Sequence, residues 1–73
     1  MNKFIFTFGS GQLYQGFYQP IFANDRVEAR AKMVEIHGLK WSHQYTEEEW
    51  KATELKYGTL EQPLQTVYCT DEN

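Results

Sequence analysis

The segment Lys3-Phe4-Ile5-Phe6-Thr7-Phe8 alternates with a period of two, placing Phe4, Phe6 and Phe8 on one face and Ile5 and Thr7 on the other. The pattern predicts a strand. It closes at Gly9-Ser10-Gly11-Gln12, where two glycines permit positive φ and the Ser10 hydroxyl can bond the local backbone. A second β-prone run from Tyr14 to Ala23 carries Phe17, Tyr18, Ile21 and Phe22, but also contains Gly16 and Pro20. Because proline cannot donate to a ladder, this run is expected at an edge of the sheet or bulged near Pro20.

The period then changes. Asn24 or Asp25 stands ready to cap a helix, and Asp25 with Glu28 has the form of a capping box. Arg26 to His37 contains neither glycine nor proline, and Gly38 follows where a C-cap would close the helix. On a 3.6-residue wheel, Val27, Ala31 and Val34 form one apolar stripe and Ala29, Met33 and Ile36 another, roughly opposite. One sheet cannot cover both. Either stripe can face the strands; the other then needs a neighbouring helix, a second copy of the chain or a foreign protein.

Lys40 to Tyr45 alternates again, with Trp41, His43 and Tyr45 expected on one side of a half-exposed strand. Thr46-Glu47-Glu48-Glu49 repeats the capping logic and predicts a second helix through Trp50, Leu55 and Tyr57, stopping near Gly58. Its apolar stripe is weak, so Trp50 and Tyr57 are expected to hold it. Leu64 to Cys69 is β-prone behind Pro63, and Thr70 to Asn73 is a polar tail. The chain is therefore expected to form one α+β domain in the order β-β-α-β-α-β. The sheet should be small and mostly antiparallel, with the main helix packed on one face and a short second helix.

Composition supports a packed core. The chain has 73 residues, 16% of them aromatic, and each buried ring removes roughly 150–250 Å² from water. The single Cys69 cannot form an internal disulfide, which favours a reducing compartment, and no apolar run approaches the ~18 residues of a membrane span. From these features a soluble, cytoplasmic protein is expected. Seven Lys+Arg against ten Asp+Glu, a formal charge of -3, weigh against nucleic acid as a partner.

No motif points to a reaction. Gly9-Ser10-Gly11 invites an anion-binding nest, but the dinucleotide fingerprint needs a third glycine where Tyr14 stands, and no Gly-Lys-Ser/Thr occurs. His37, His43 and Cys69 lack metal-ligand spacing, so neither a metal nor any other cofactor is expected. His37 is expected as a last-turn cation facing the negative helix end, His43 on the aromatic strand face, and Cys69 as an inert thiol. Glu47, Glu48 and Glu49 diverge around a helix start and suit capping better than acid-base chemistry. The chain is expected not to be an enzyme.

Two binding surfaces remain. Ala29, Met33 and Ile36 with Trp41, Tyr45 and Trp50 form a candidate protein interface, for a host factor or another copy of the chain. The alternative is a weak nucleic-acid or nucleotide-phosphate module, with Gly9, Ser10, Gly11, Arg26, Arg30 and Lys32 as candidate phosphate contacts.

Phe6-Thr7-Phe8-Gly9-Ser10-Gly11-Gln12, Ala29-Arg30 with Met33, Gly38 with Lys40-Trp41, and Gln44-Tyr45-Thr46-Glu47-Glu48-Glu49-Trp50 resemble a group of small, uncharacterised proteins encoded by phages and prophages of Gram-positive bacteria. The similarity spans about the first 50 residues, and its motifs are specific as a set rather than singly. It implies an accessory role in a bacterial cytoplasm and carries over no catalytic residue.

Overall fold

The structure, a computed structural model, describes residues 1–57 and 61–69; of Tyr57 only the backbone is described. The expected helix stop near Gly58 and the polar tail from Thr70 lie outside the described residues. The elements are β1 (Asn2–Thr7), β2 (Phe17–Ala23), α1 (Arg26–His37), β3 (His43–Thr46), α2 (Glu47–Tyr57), β4 (Gln62–Pro63) and β5 (Val67–Tyr68). The fold is α+β, a small mixed sheet with two helices. Its order is β3-β1-β2-β4, and β5 also pairs with β2. The pairs β1–β2 and β1–β3 are antiparallel, whereas β4 and β5 run parallel to β2.

Pro20 does not put β2 at the edge. The strand is internal, flanked by β1 on one side and by β4 and β5 in succession on the other. The carbonyls of Gly16, Tyr18 and Phe22 accept from the amides of Gln62, Leu64 and Cys69. Alternation turns the backbone of Pro20 toward that same neighbour, where it has no N–H to give. Where one terminal strand was expected over Leu64 to Cys69 behind Pro63, β4 lies at Gln62–Pro63 and β5 covers only Val67–Tyr68, with Leu64, Gln65 and Thr66 between them. The proline costs a ladder bond on the outer strand, not the central place of its own strand.

Both faces of β1 are buried. Phe4, Phe6 and Phe8 join Ile21, Ala23, Ala29, Met33 and Cys69 in the main core under α1. On the opposite face Ile5 is 1% exposed. There Trp50 of α2 packs against Tyr18 at 5.0 Å and Tyr45 at 5.6 Å between ring centroids. The wheel of α1 is thereby resolved: Ala29 and Met33 face the sheet, and Val27 is 79% exposed. A sheet face already filled by three Phe rings needs the small Ala29 and the adaptable Met33 opposite it, not two β-branched valines.

Both helices start as their sequences require. The Asp25 carboxylate accepts from the amide of Glu28 at 2.8 Å, and the Glu28 carboxylate accepts from the amide of Asn24 at 2.7 Å. Thr46 and Glu49 form the reciprocal pair at α2, with distances of 2.9 and 3.1 Å. Gly38 takes φ 66°, the left-handed value that ends α1, and its N–H donates to the Val34 carbonyl at 2.8 Å.

Candidate protein-binding surface

The six residues expected to form one protein interface do not share a surface. Ala29 and Met33 are fully enclosed beneath α1, and Trp50 is 6% exposed on the other side of the sheet. Trp41 precedes β3 rather than belonging to it, and its ring turns to the α1 side, edge-on to Phe6 at 5.1 Å. Tyr45 lies with Trp50. Of the set, Ile36 has the largest exposed fraction, 42%. Ala29, Met33 and Trp50 are core residues because the sheet is roofed on both faces by its own helices, which a linear reading of one helix wheel does not reveal.

The phosphate contacts of the alternative reading are also spoken for. Gly9 N–H donates to the Gln12 side-chain carbonyl, and Gly11 N–H donates to that of Gln15 at 3.0 Å. Two glutamines of the loop itself thus fill the amide positions an anion would take, while Ser10 is exposed. Arg26 pairs with Glu49 at 3.6 Å and Lys32 with Glu35 at 3.0 Å. The Arg30 guanidinium stands 5.6 Å from the Trp41 ring centre, a cation–π contact. These cations are spread along α1 against acids and an indole, and they do not converge on the glycine loop. The Thr46 amide, helped by Arg26, holds the Glu49 carboxyl below the usual carboxylate range.

What the fold does bring together lies at the C-terminal end of α1. The segment from Gly9 to Phe17 is a run of turns, with Gln12, Gln15 and Phe17 amides donating to the carbonyls of Gly9, Gln12 and Tyr14. It lays Leu13 and Tyr14 beside the last turn of the helix. Leu13, Tyr14, Ile36, His37, Gly38 and Lys40 line a concavity of about 490 Å³. Leu13 is 81% exposed, and Leu39, 73% exposed, stands between two of the lining residues. A second hollow of about 350 Å³ continues past Tyr14, Ile36 and His37 toward Leu64 and Val67. The two share a wall, so the result is one largely apolar groove.

His37 and Gln19 form the polar floor. The His37 Nε2 lies 3.0 Å from Gln19 Oε1, and the imidazole is edge-on to both Phe8 and Tyr14, each at 5.3 Å. Gln19 is 3% exposed, and its Nε2 donates to the carbonyls of Pro20 at 3.1 Å and Gln65 at 2.7 Å. With the amide nitrogen so committed, Oε1 faces the imidazole and makes Nε2 the protonated ring nitrogen. His37 is therefore not the solvent-facing cation expected at a helix end; burial holds its pKa below the usual imidazole value. The signal for Gln19 was its place beside Pro20: a polar residue next to a missing donor, in a run otherwise rich in aromatics.

A pH dependence follows. The unfolded chain takes up the His37 proton near pH 6.5, before the folded chain does, so this contribution to stability is complete above about pH 6.5 and is lost as pH falls through it toward the lower folded value. The urea midpoint is expected to drop between pH 7.5 and 5.5. His37→Gln, which keeps a donor toward Gln19, should flatten that slope; an unchanged slope would assign it to other groups.

Among the described residues no helix is long and apolar enough to cross a membrane, and no group of three or more His, Cys, Asp or Glu is placed to hold a metal ion. Cys69 is 7% exposed, in the core. No protein-family model, curated protein or solved structure matches this chain.

Proposed function

We propose that this chain is a non-enzymatic protein-binding module, serving as an accessory protein of a phage or prophage in the bacterial cytoplasm. The observation that carries the binding role is the groove at the end of α1, where Leu13, Tyr14 and Ile36 line an apolar concavity and Leu39 stands exposed beside it. Leaving side chains of this size in water forgoes roughly 25 cal/mol for each Å² of apolar area, and a partner that covers them recovers it. The accessory role rests on the resemblance of the first 50 residues. The non-enzymatic reading is supported by the way His37 is engaged by Gln19 and two rings, and by the burial of Cys69. The nucleic-acid alternative has less to stand on, since its loop amides and two of its three cations already have partners within the chain.

The test is a variant with Leu13→Glu and Leu39→Glu. Both side chains are exposed, so the thermal midpoint should stay within a few degrees of the parent. A host protein identified by capture on the parent chain, then purified and titrated by calorimetry, should bind the parent and lose at least about tenfold in affinity for the variant, the equivalent of ~1.4 kcal/mol. Equal affinities would remove the groove from the binding surface.

A further inference from the structure

A different corner of the molecule carries a surface of its own, with no lining residue in common with the groove. On the α2 side of the sheet, α2 covers Ile5, Tyr18 and Tyr45 but leaves the far end of β2 and β5 open. Phe22 stacks on Tyr68 there, with ring centres 5.0 Å apart and planes 7° from parallel, and Tyr68 remains 59% exposed. Beside this projecting pair lies a concavity of about 430 Å³, lined by Lys3, Phe4, Phe22, Glu47 and Glu48 among others. A knob and a hole therefore adjoin through one shared residue, Phe22.

The rim carries both signs of charge. Lys3 comes from β1, and Glu47 and Glu48 come from the first turn of α2. None of the three makes an ion pair among the described residues. A foreign surface of a single sign meets attraction on one wall and repulsion on the other. A second copy related by a two-fold axis brings Glu47 and Glu48 to Lys3 and Lys3 to Glu47 and Glu48, satisfying both walls at once. We propose that two copies of this chain pair isologously through this corner, with the Tyr68 ring of each seated in the hollow between Lys3 and Glu47/Glu48 of the other. The chain's charge of -3 opposes any indiscriminate approach of two copies, so pairing depends on these local contacts.

Sedimentation equilibrium of the full chain over a range of concentrations and at low salt tests the proposal. The parent chain is expected to show a monomer–dimer equilibrium. Lys3→Glu alone, and Glu47→Lys with Glu48→Lys alone, should each weaken it by about tenfold or more, because every reversal acts at two symmetry-related contacts. Mixing the two variants should restore pairing as a heterodimer, in which Glu at position 3 of one chain meets Lys at 47 and 48 of the other and the reverse contact is the natural one. Tyr68→Ser should abolish pairing in every combination. Circular dichroism of each variant separates lost pairing from lost fold, and rescue in the mixture requires that both variants be folded. A parent chain that stays monomeric throughout, or a dimer that ignores the reversals and shows no rescue on mixing, overturns the proposal.

Discussion

Met33→Asp is expected to unfold the domain. The side chain is fully enclosed in the cluster formed by Phe4, Phe6, Phe8, Ile21 and Ala29, and removing an aliphatic side chain from such a place costs about 2–5 kcal/mol before any charge is considered. An ionised carboxylate in the same position adds several kcal/mol of desolvation, or else forces its own protonation. A domain of this length has roughly 4–11 kcal/mol of stability in all. The combined cost reaches or exceeds that range, so the far-ultraviolet dichroism at 25 °C should be that of an unfolded chain. Val27→Asp is the matched control. Val27 lies on the other stripe of α1 and is 79% exposed, so the same chemical change there should shift stability by no more than about 0.5 kcal/mol. A folded Met33→Asp variant, or an unfolded Val27→Asp variant, would mean that α1 is rotated about its axis relative to the arrangement described.

That pair of substitutions marks where the sequence was legible and where it was not. The limits of α1 followed from local chemistry: Asp25 and Glu28 at one end, Gly38 with positive φ at the other, and no breaker between. Thr46 and Glu49 likewise announced α2. Signals of this kind act over three or four residues and need nothing from the rest of the chain. The rotation of α1 was not legible, because two stripes of similar size compete and the choice depends on the volume of the opposing sheet. Trp50 was legible as the residue that holds α2, but not the face it covers, which depends on α2 crossing to the side of β1 that carries Ile5. The proposed interface moved for that reason. On the wheel of α1 alone Ala29 and Met33 have no assigned cover, whereas Leu13 and Leu39 lie in segments without periodicity and carry no signal of a surface.

Gln19→Leu is expected to be the most damaging substitution that introduces no charge and little change of volume. Gln19 reaches three groups, the Pro20 carbonyl, the Gln65 carbonyl and His37 Nε2, and the first of these also lies on the β2–β5 ladder. Leucine fills much of the space but removes the Gln19 partner of the Gln65 carbonyl and of His37 Nε2, at about 1–3 kcal/mol each. They share one locus, so the costs overlap, and a total loss of roughly 2–5 kcal/mol is expected in urea unfolding. Pro20 is what gives a single side chain this leverage. It removes the one backbone donor that would have carried the ladder from Leu64 across to Val67, and the Gln19 amide is the substitute. The damage should therefore be local before it is global. Amide exchange at Leu64 and Cys69, whose N–H groups donate to Tyr18 and Phe22, should accelerate more than exchange in β1, since β4 and β5 are held to β2 by few other bonds. Gln65→Ala, which keeps the accepting backbone carbonyl, should leave both readouts close to the parent. Uniform acceleration across β1, β4 and β5 would instead make Gln19 one more contributor to a cooperative core, with no special hold on the outer edge of the sheet.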